Sequence, residues 1–371
     1  MNLKTRLLVV YGLCSFLLSP LLSAGDIELS ETRSLTISHS LGWVRKNLDT
    51  TGQEAWNGVL DEAKWGVPCP KQALSRNWDI RLSDGEWSAL VKEKGEAPAE
   101  EVHFDLWIPA DIKTVRGVVA ISGHGSGTPL FKLPELRKLA RELGLGLFLF
   151  NGNPVQRGFW PRSLLFEQLG EMGRQTGHPE LAHAPLFLYG HSNGTGFSAI
   201  FTAGAADRVW GWVSMRPGIS FQVYQPGAVG VPGLVIFGEK DPFLVRPSIA
   251  ENLSIIPLIR KKHDALWCQA VEPGGGHGPG AKTWPLVLSF LRHSFTARVP
   301  ADSGTGGKAP TLVSISPASG YRGENWAVEK GGYQTLEAAP VDRFSGNAAT
   351  ASWLINEAFA REWQSFQGSG Q

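Results

Sequence analysis

Between residues 101 and 295 the chain switches repeatedly between two hydrophobic periods. EVHFDLWIP sets Val102, Phe104, Leu106 and Ile108 against the opposite face, the two-residue period of a strand. VRGVVAIS is a nearly continuous apolar run, the pattern of a strand buried on both faces, and it ends in the Gly-rich HGSG. Helical spacing follows in LPELRKLARELG, then the apolar GLGLFLF, the helix-like SLLFEQLGEMGRQTG and the strand PLFLYG. A small-residue helix after Ser192 leads to the strands RVWGWVSM and GLVIFG. The series closes with a helix around PSIAENLSIIPLIRKK, the strand ALWCQAV and a helix near WPLVLSFLRHSF. Repeated strand-helix units predict an α/β fold with a mostly parallel central sheet covered by helices on both faces. Crossovers of that kind gather the loops that follow the strands along one edge, so chemistry is expected there.

The flanks read differently. Residues 1–25 form a signal peptide by pattern: Lys4 and Arg6 precede an apolar stretch from Leu7 to Leu22 that is broken at Pro20 and followed by Ser23-Ala24-Gly25, a small-x-small cleavage site. The stretch is too short and interrupted for a retained span. Residues 26–98 make an N-terminal extension, in which ELSETRSLTIS has strand character and GQEAWNGVLDEAKWG aligns Trp56, Leu60 and Trp65 as a short amphipathic helix. The α/β domain occupies 99–298, and 299–371 holds a linker, PADSGTGGKAP, and a C-terminal extension. Its last segment, SWLINEAFAREWQSF, puts Ile355, Phe359, Trp363 and Phe366 on one face of a helix that docks on the main domain.

Composition narrows the class. With 42% hydrophobic and 19% charged residues, the 371-residue chain is globular rather than disordered or multi-spanning. Its 44 Gly and 14 Trp predict many tight turns and aromatic surfaces. A formal net charge of +1, well mixed, provides no field to gather nucleic acid or an anionic membrane, so neither is expected as a partner. Cleavage of the leader removes Cys14 and leaves Cys69 and Cys268, which form either one disulfide or two buried thiols.

Against this background four Gly-rich turns carry the chemistry. Gly190-His191-Ser192-Asn193-Gly194 is a G-x-S-x-G match lying directly after an apolar strand and before a helix-forming stretch. In a chain so rich in glycine the pentapeptide alone is a weak signal, and the strand-turn-helix context makes it informative. Ser192 is therefore the expected nucleophile. A serine hydroxyl needs a base within hydrogen-bond reach. His277, in EPGGGHGPG after the strand ALWCQAV, meets that need, with His263 its nearest competitor. The imidazole needs a carboxylate to hold its tautomer, and GLVIFGEKDPF offers Asp241, with Glu239 in the same turn as the alternative. Negative charge developing on a carbonyl oxygen calls for backbone donors: Asn193 after the nucleophile, and Ser126 or Gly125 in SGHGSG. The Lys-Ser/Thr ending of a phosphate-binding loop is absent. Histidine spacing matches no metal motif such as HExxH, so no metal is expected.

The turns HGSG, GHSNG, GEKD and GGGHG, in that order over roughly residues 100 to 295, resemble the α/β-hydrolase superfamily, and within it the dienelactone-hydrolase, polyhydroxyalkanoate-depolymerase and feruloyl-esterase-like group. The resemblance implies carboxylic ester hydrolysis through an acyl-enzyme, without a cofactor. It does not name the substrate, because one fold hosts many activities. Phe159, Trp160, Tyr224 and Phe243 in the loops along the active edge suit an aromatic or polymer-linked ester, or else pack the extensions against the domain. Arg157, Arg162 and Arg216 share those loops, as substrate anchors or solvated rim charges, and Arg216 is taken with the aromatics as substrate-binding. Only RPGISFQVYQPGAVGVP separates RVWGWVSM from GLVIFG, too rich in Pro and Gly for a large helical lid, so the site is expected to be open. Peptidase or acyltransferase chemistry on the same triad, and a non-catalytic binding protein of the same fold, are the alternatives. The leader points to a secreted or periplasmic location.

Overall fold

A computed structural model of the chain describes residues 32–40, 101–151, 162–217, 226–243, 253, 256–257, 259–326 and 336–368. The segments read as leader and as the amphipathic helix around Trp56 lie outside these residues.

Eight strands form one sheet: β1 (Thr32–Ser40), β2 (Glu101–Pro109), β3 (Gly117–Ser122), β4 (Leu145–Asn151), β5 (Leu186–His191), β6 (Val209–Met215), β7 (Gly233–Gly238) and β8 (Trp267–Glu272). Their order across the sheet is β1-β2-β4-β3-β5-β6-β7-β8. β2 pairs antiparallel with β1 and β4, and every later neighbour is parallel. The expected mostly parallel sheet is present. Its first strand comes from the N-terminal extension, which pairs with β2 over nine residues.

Along β5 the two faces alternate as period two demands. Leu186 and Leu188 pack with Phe148, Phe150, Trp212 and Trp267 on one side, beside α3 (Arg162–Thr176) and α4 (Thr195–Gly204), through Leu165, Leu169, Met172 and Phe197. Phe187 and Tyr189 pack on the other side with Trp210, Val213 and Ile236. There they meet α2 (Pro134–Leu143) through Leu136 and Leu139, and α5 (Thr283–Arg298) through Phe290 and Phe295. A short helix that the periodicity did not signal, α1 (Gly127–Phe131), follows β3 at once. Trp210, Trp212, Trp267, Trp353 and Trp363 are fully buried, so these tryptophans build the interior rather than the aromatic surfaces the composition suggested.

The C-terminal extension adds a small sheet, β9 (Tyr321–Gly323), β10 (Ala339–Pro340) and β11 (Ser352–Leu354), and a helix, α6 (Glu357–Gly368). SWL is thus a strand and not the first turn of the helix, and Ile355 lies in the bend between them; Trp353 and Leu354 bury their side chains while pairing with Arg322 and Tyr321. Phe359, Trp363 and Phe366 form the buried face of α6.

The extension also satisfies the outer edge of β8, which among the described residues has no further strand to pair with. Gln269 N–H donates to Ser352 Oγ at 3.0 Å, Val271 N–H to Gln367 Oε1 at 3.0 Å, and Trp363 Nε1–H to the Gln269 carbonyl at 2.8 Å. Side chains do here what a ninth strand would do, and an exposed edge is avoided. Cys268 on β8 is a free, buried thiol in contact with the Gly233 carbonyl, while Cys69 lies outside the described residues. No described helix is long and apolar enough to cross a membrane.

Candidate active site

Parallel pairing of β3 with β5, with Ile121 opposite Tyr189, puts the turns after these strands side by side. They lie where β4 and β5 leave β3 in opposite directions, the position at which open α/β sheets form their crevice. β5 ends at His191, and a 3-10 turn over Ser192–Gly194 enters α4 directly. Ser192 has φ 55°, a left-handed conformation that costs a non-glycine residue about 1–3 kcal/mol. The turn is tight enough that a Cβ on Gly190 would lie 2.1 Å from the Gly194 carbonyl oxygen, so only glycine fits there. Thr195 Oγ1 caps the turn by donating to the Ser192 carbonyl at 2.6 Å.

Two further strand ends bring up the acid and the imidazole. His277 Nδ1 donates to Asp241 Oδ2 at 2.8 Å, and the Phe243 N–H donates to Asp241 Oδ1 at 2.9 Å. Burial by itself would raise the Asp241 pKa, but the bonds from His277 and Phe243 and the charge of Arg216 outweigh it and hold the carboxyl below its ordinary value. Because a carboxylate only accepts, the His277 proton sits on Nδ1 and its Nε2 lone pair remains free to take a proton. Phe243 packs edge-on against the His277 ring, centroids 4.5 Å apart. His277 therefore partners Asp241 in this structure. His263 sits at the end of a helical segment in a different part of the chain, and Glu239 accepts the Gly274 N–H at 2.6 Å as a brace of the histidine loop.

That loop is held from below. Arg216 donates through Nε to the Gly276 carbonyl at 2.9 Å and pairs with Glu272. Glu272 also accepts from Thr283 Oγ1 at 2.9 Å and from the Gly280 N–H at 3.3 Å, so one carboxylate ties both ends of the loop. Arg216 was expected to bind substrate. It is instead 1% exposed and turned into the protein, because its guanidinium completes the buried pair. The strand pattern did not reveal this role for Glu272, although a carboxylate closing an apolar strand is itself unusual.

In the turn after β3, the Ser126 N–H donates to His191 Nδ1 at 2.8 Å, and the Ser126 hydroxyl meets the Tyr189 hydroxyl at 2.7 Å. The Ser126 amide, expected as an oxyanion donor, is thus engaged with His191 in this structure. Gly125, at φ 61°, lies against the His191 ring. Of the residues expected to line the entrance, Phe243 is seated beside His277, whereas Arg157, Phe159, Trp160, Tyr224 and the side chain of Arg162 lie outside the described residues. Among the described residues no group of three or more His, Cys, Asp or Glu side chains is arranged to hold a metal ion.

Strand order, a left-handed serine between β5 and α4, and an acid and a histidine after β7 and β8 together define the architecture. This is the α/β-hydrolase fold. No family model and no curated protein matches the chain. Solved structures similar to it include an S-formylglutathione hydrolase from Agrobacterium tumefaciens, with 14% identity over 52% of this chain and 89% of that one at a TM-score of 0.40. A fluorophosphonate-binding serine hydrolase of Staphylococcus aureus, FphF, shares 13% over 52% and 92%, with a TM-score of 0.38. Dienelactone hydrolase from Anabaena variabilis shares 20% over 53% and 91%, with a TM-score of 0.35. The hydrolase fold of this chain is read from its own topology and elbow.

Proposed function

We propose that the protein is an exported serine hydrolase that cleaves carboxylic esters through Ser192, His277 and Asp241. The observation that carries this reading is the His277–Asp241 hydrogen bond of 2.8 Å beside an elbow that holds Ser192 at φ 55°. Ser192 Oγ attacks the ester carbonyl as His277 Nε2 takes its proton, and Asp241 stabilises the imidazolium that results. The oxyanion is received by the N–H of Asn193 and that of Gly125, since the Ser126 N–H is engaged with His191. His277 returns the proton to the departing alcohol, and water attacks the acyl-enzyme by the same route in reverse.

Labelling with a fluorophosphonate probe and mapping the adduct by mass spectrometry tests this reading. An adduct on Ser192, lost in Ser192→Ala together with hydrolysis of short-chain esters, is expected. An intact protein carrying no adduct on Ser192 would favour the non-catalytic binding protein instead.

An aromatic or polysaccharide-linked ester is the substrate class we favour, supported by the Phe243 ring standing against His277. Rates on feruloylated or acetylated oligosaccharides should exceed those on the free short-chain esters; equal rates count against a polymer-linked substrate. Export is supported by Lys4 and Arg6 ahead of the apolar run and by Ser23-Ala24-Gly25 after it. N-terminal sequencing of protein recovered from the periplasm or medium should begin near Gly25, and recovery with Met1 intact would refute cleavage.

A further inference from the structure

The G-x-S-x-G motif uses Ser192 as nucleophile and glycines for space, which leaves His191 without an assigned task. Its ring is buried, and both nitrogens are bonded to backbone from different turns: Nδ1 to the Ser126 N–H and Nε2 to the His277 carbonyl, each at 2.8 Å. We propose that His191 is a positioning residue that locks the oxyanion turn after β3 to the loop carrying the general base. This inference rests on reading Ser192, His277 and Asp241 as the catalytic triad.

The donor and acceptor roles follow from the partners. An amide N–H only donates, so His191 Nδ1 is bare and accepts from Ser126. A carbonyl only accepts, so the ring proton sits on Nε2 and is donated to His277. Only the neutral Nε2–H tautomer satisfies both bonds. Adding a proton at Nδ1 would set donor against donor and break the link to Ser126.

The surroundings oppose such protonation. Burial first, then repulsion from the His277 ring whenever that ring is protonated, with His124 and Arg216 contributing, pushes the His191 pKa down to about 3 against the bond to the His277 backbone, which raises it. Gly125 makes the contact possible, since a Cβ there would lie 2.3 Å from His191 Nδ1. The His191 and His277 rings are 5.0 Å apart, so the ring that bonds the base's backbone also packs beside its imidazole. A displacement of the His277 backbone is thereby transmitted to Ser126 and to the Gly125 amide that precedes it.

Two half-isosteres separate the two bonds. In His191→Asn an oxygen falls near the position of Nδ1 and can accept from Ser126, but nothing reaches His277. In His191→Gln an amide N–H falls near the position of Nε2 and can donate to the His277 carbonyl, and His191→Ala offers neither bond. Nitrogen-15 NMR of histidine-labelled protein should show His191 as the Nε2–H tautomer without titration from about pH 5 to about pH 9. Steady-state kinetics should show kcat reduced about 100-fold in His191→Ala with KM changed less than about threefold. His191→Gln should recover about tenfold of that loss and retain the downfield Nδ1–H proton resonance of His277, while His191→Asn should lack it. An Nδ1–H tautomer, titration within that range, or a wild-type kcat in His191→Ala would overturn the proposal. Failure of Ser192 to label in the wild type would remove the triad reading alone, because the tautomer measurement tests the clamp without turnover.

Discussion

Arg216 and Glu272 form an ion pair inside the protein, directly beneath the loop that presents His277. Both are nearly inaccessible, and the pair lies where β6 and β8 end, so it joins two strand ends to one loop. Removing one partner strands a charge away from water. Arg216→Met should therefore lower stability by about 3–5 kcal/mol in urea unfolding. The double variant Arg216→Met with Glu272→Leu should recover most of that loss, since replacing a buried pair by apolar groups is often neutral. A double variant no more stable than the single one would contradict this account.

Asp241 controls a second, pH-dependent contribution. Its carboxyl is held below the ordinary aspartate value of about 4, so folding favours the ionised form. The resulting stabilisation is present in full above that ordinary value and disappears as pH falls through the lowered folded-state value. Urea midpoints of the wild type and Asp241→Asn should differ most near neutral pH and converge in acid; curves that stay parallel would refute it. The same substitution should lower kcat by about 10⁴-fold, because an amide does not hold the imidazole tautomer that leaves Nε2 free.

The edge of β8 depends on three side chains from the C-terminal extension. Gln367→Ala leaves the Val271 N–H without its acceptor and should cost about 1–3 kcal/mol. Trp363→Ala removes a fully buried indole and the bond to the Gln269 carbonyl, and should cost about 3–5 kcal/mol. Uncovering an edge strand invites pairing between molecules, so sedimentation of Trp363→Ala at rising concentration should reveal more self-association than the wild type shows. A variant that sediments as the wild type does would rule this out.

Cys268 supplies a probe of the same region. Its thiol is fully buried and its pKa is pushed up by desolvation, which suppresses the reactive thiolate. Ellman's reagent should modify Cys268 only once denaturant unfolds the chain. Reaction in native buffer at the rate of a free thiol would show that the extension opens from β8.

Much of the architecture was legible along the chain because buried parallel strands and amphipathic helices impose different periods on the same alphabet. VRGVVAIS, PLFLYG and GLVIFG announced β3, β5 and β7, and LPELRKLARELG announced α2. The C-terminal segment was harder to read. Ser352–Leu354 carries apolar residues that suit a helix equally well, and pairing with β9 decides the matter. Short apolar runs carry no period long enough to distinguish the two structures.

Site chemistry divides along the same line. Serine, histidine and aspartate were recognisable as residue types in Gly-rich turns after strands, a local property of the sequence. That Asp241 rather than Glu239 meets His277, that Arg216 turns inward to Glu272, and that His191 engages Ser126 are decided by contacts between residues 36 to 86 positions apart in sequence that meet only in the folded chain, such as the 36 positions from Asp241 to His277 and the 86 from His191 to His277. Sequence by itself determined the periodicity and the supply of reactive groups. Tertiary structure decided which groups face one another, because hydrogen bonds and ion pairs depend on distances and angles that no local pattern of residues encodes.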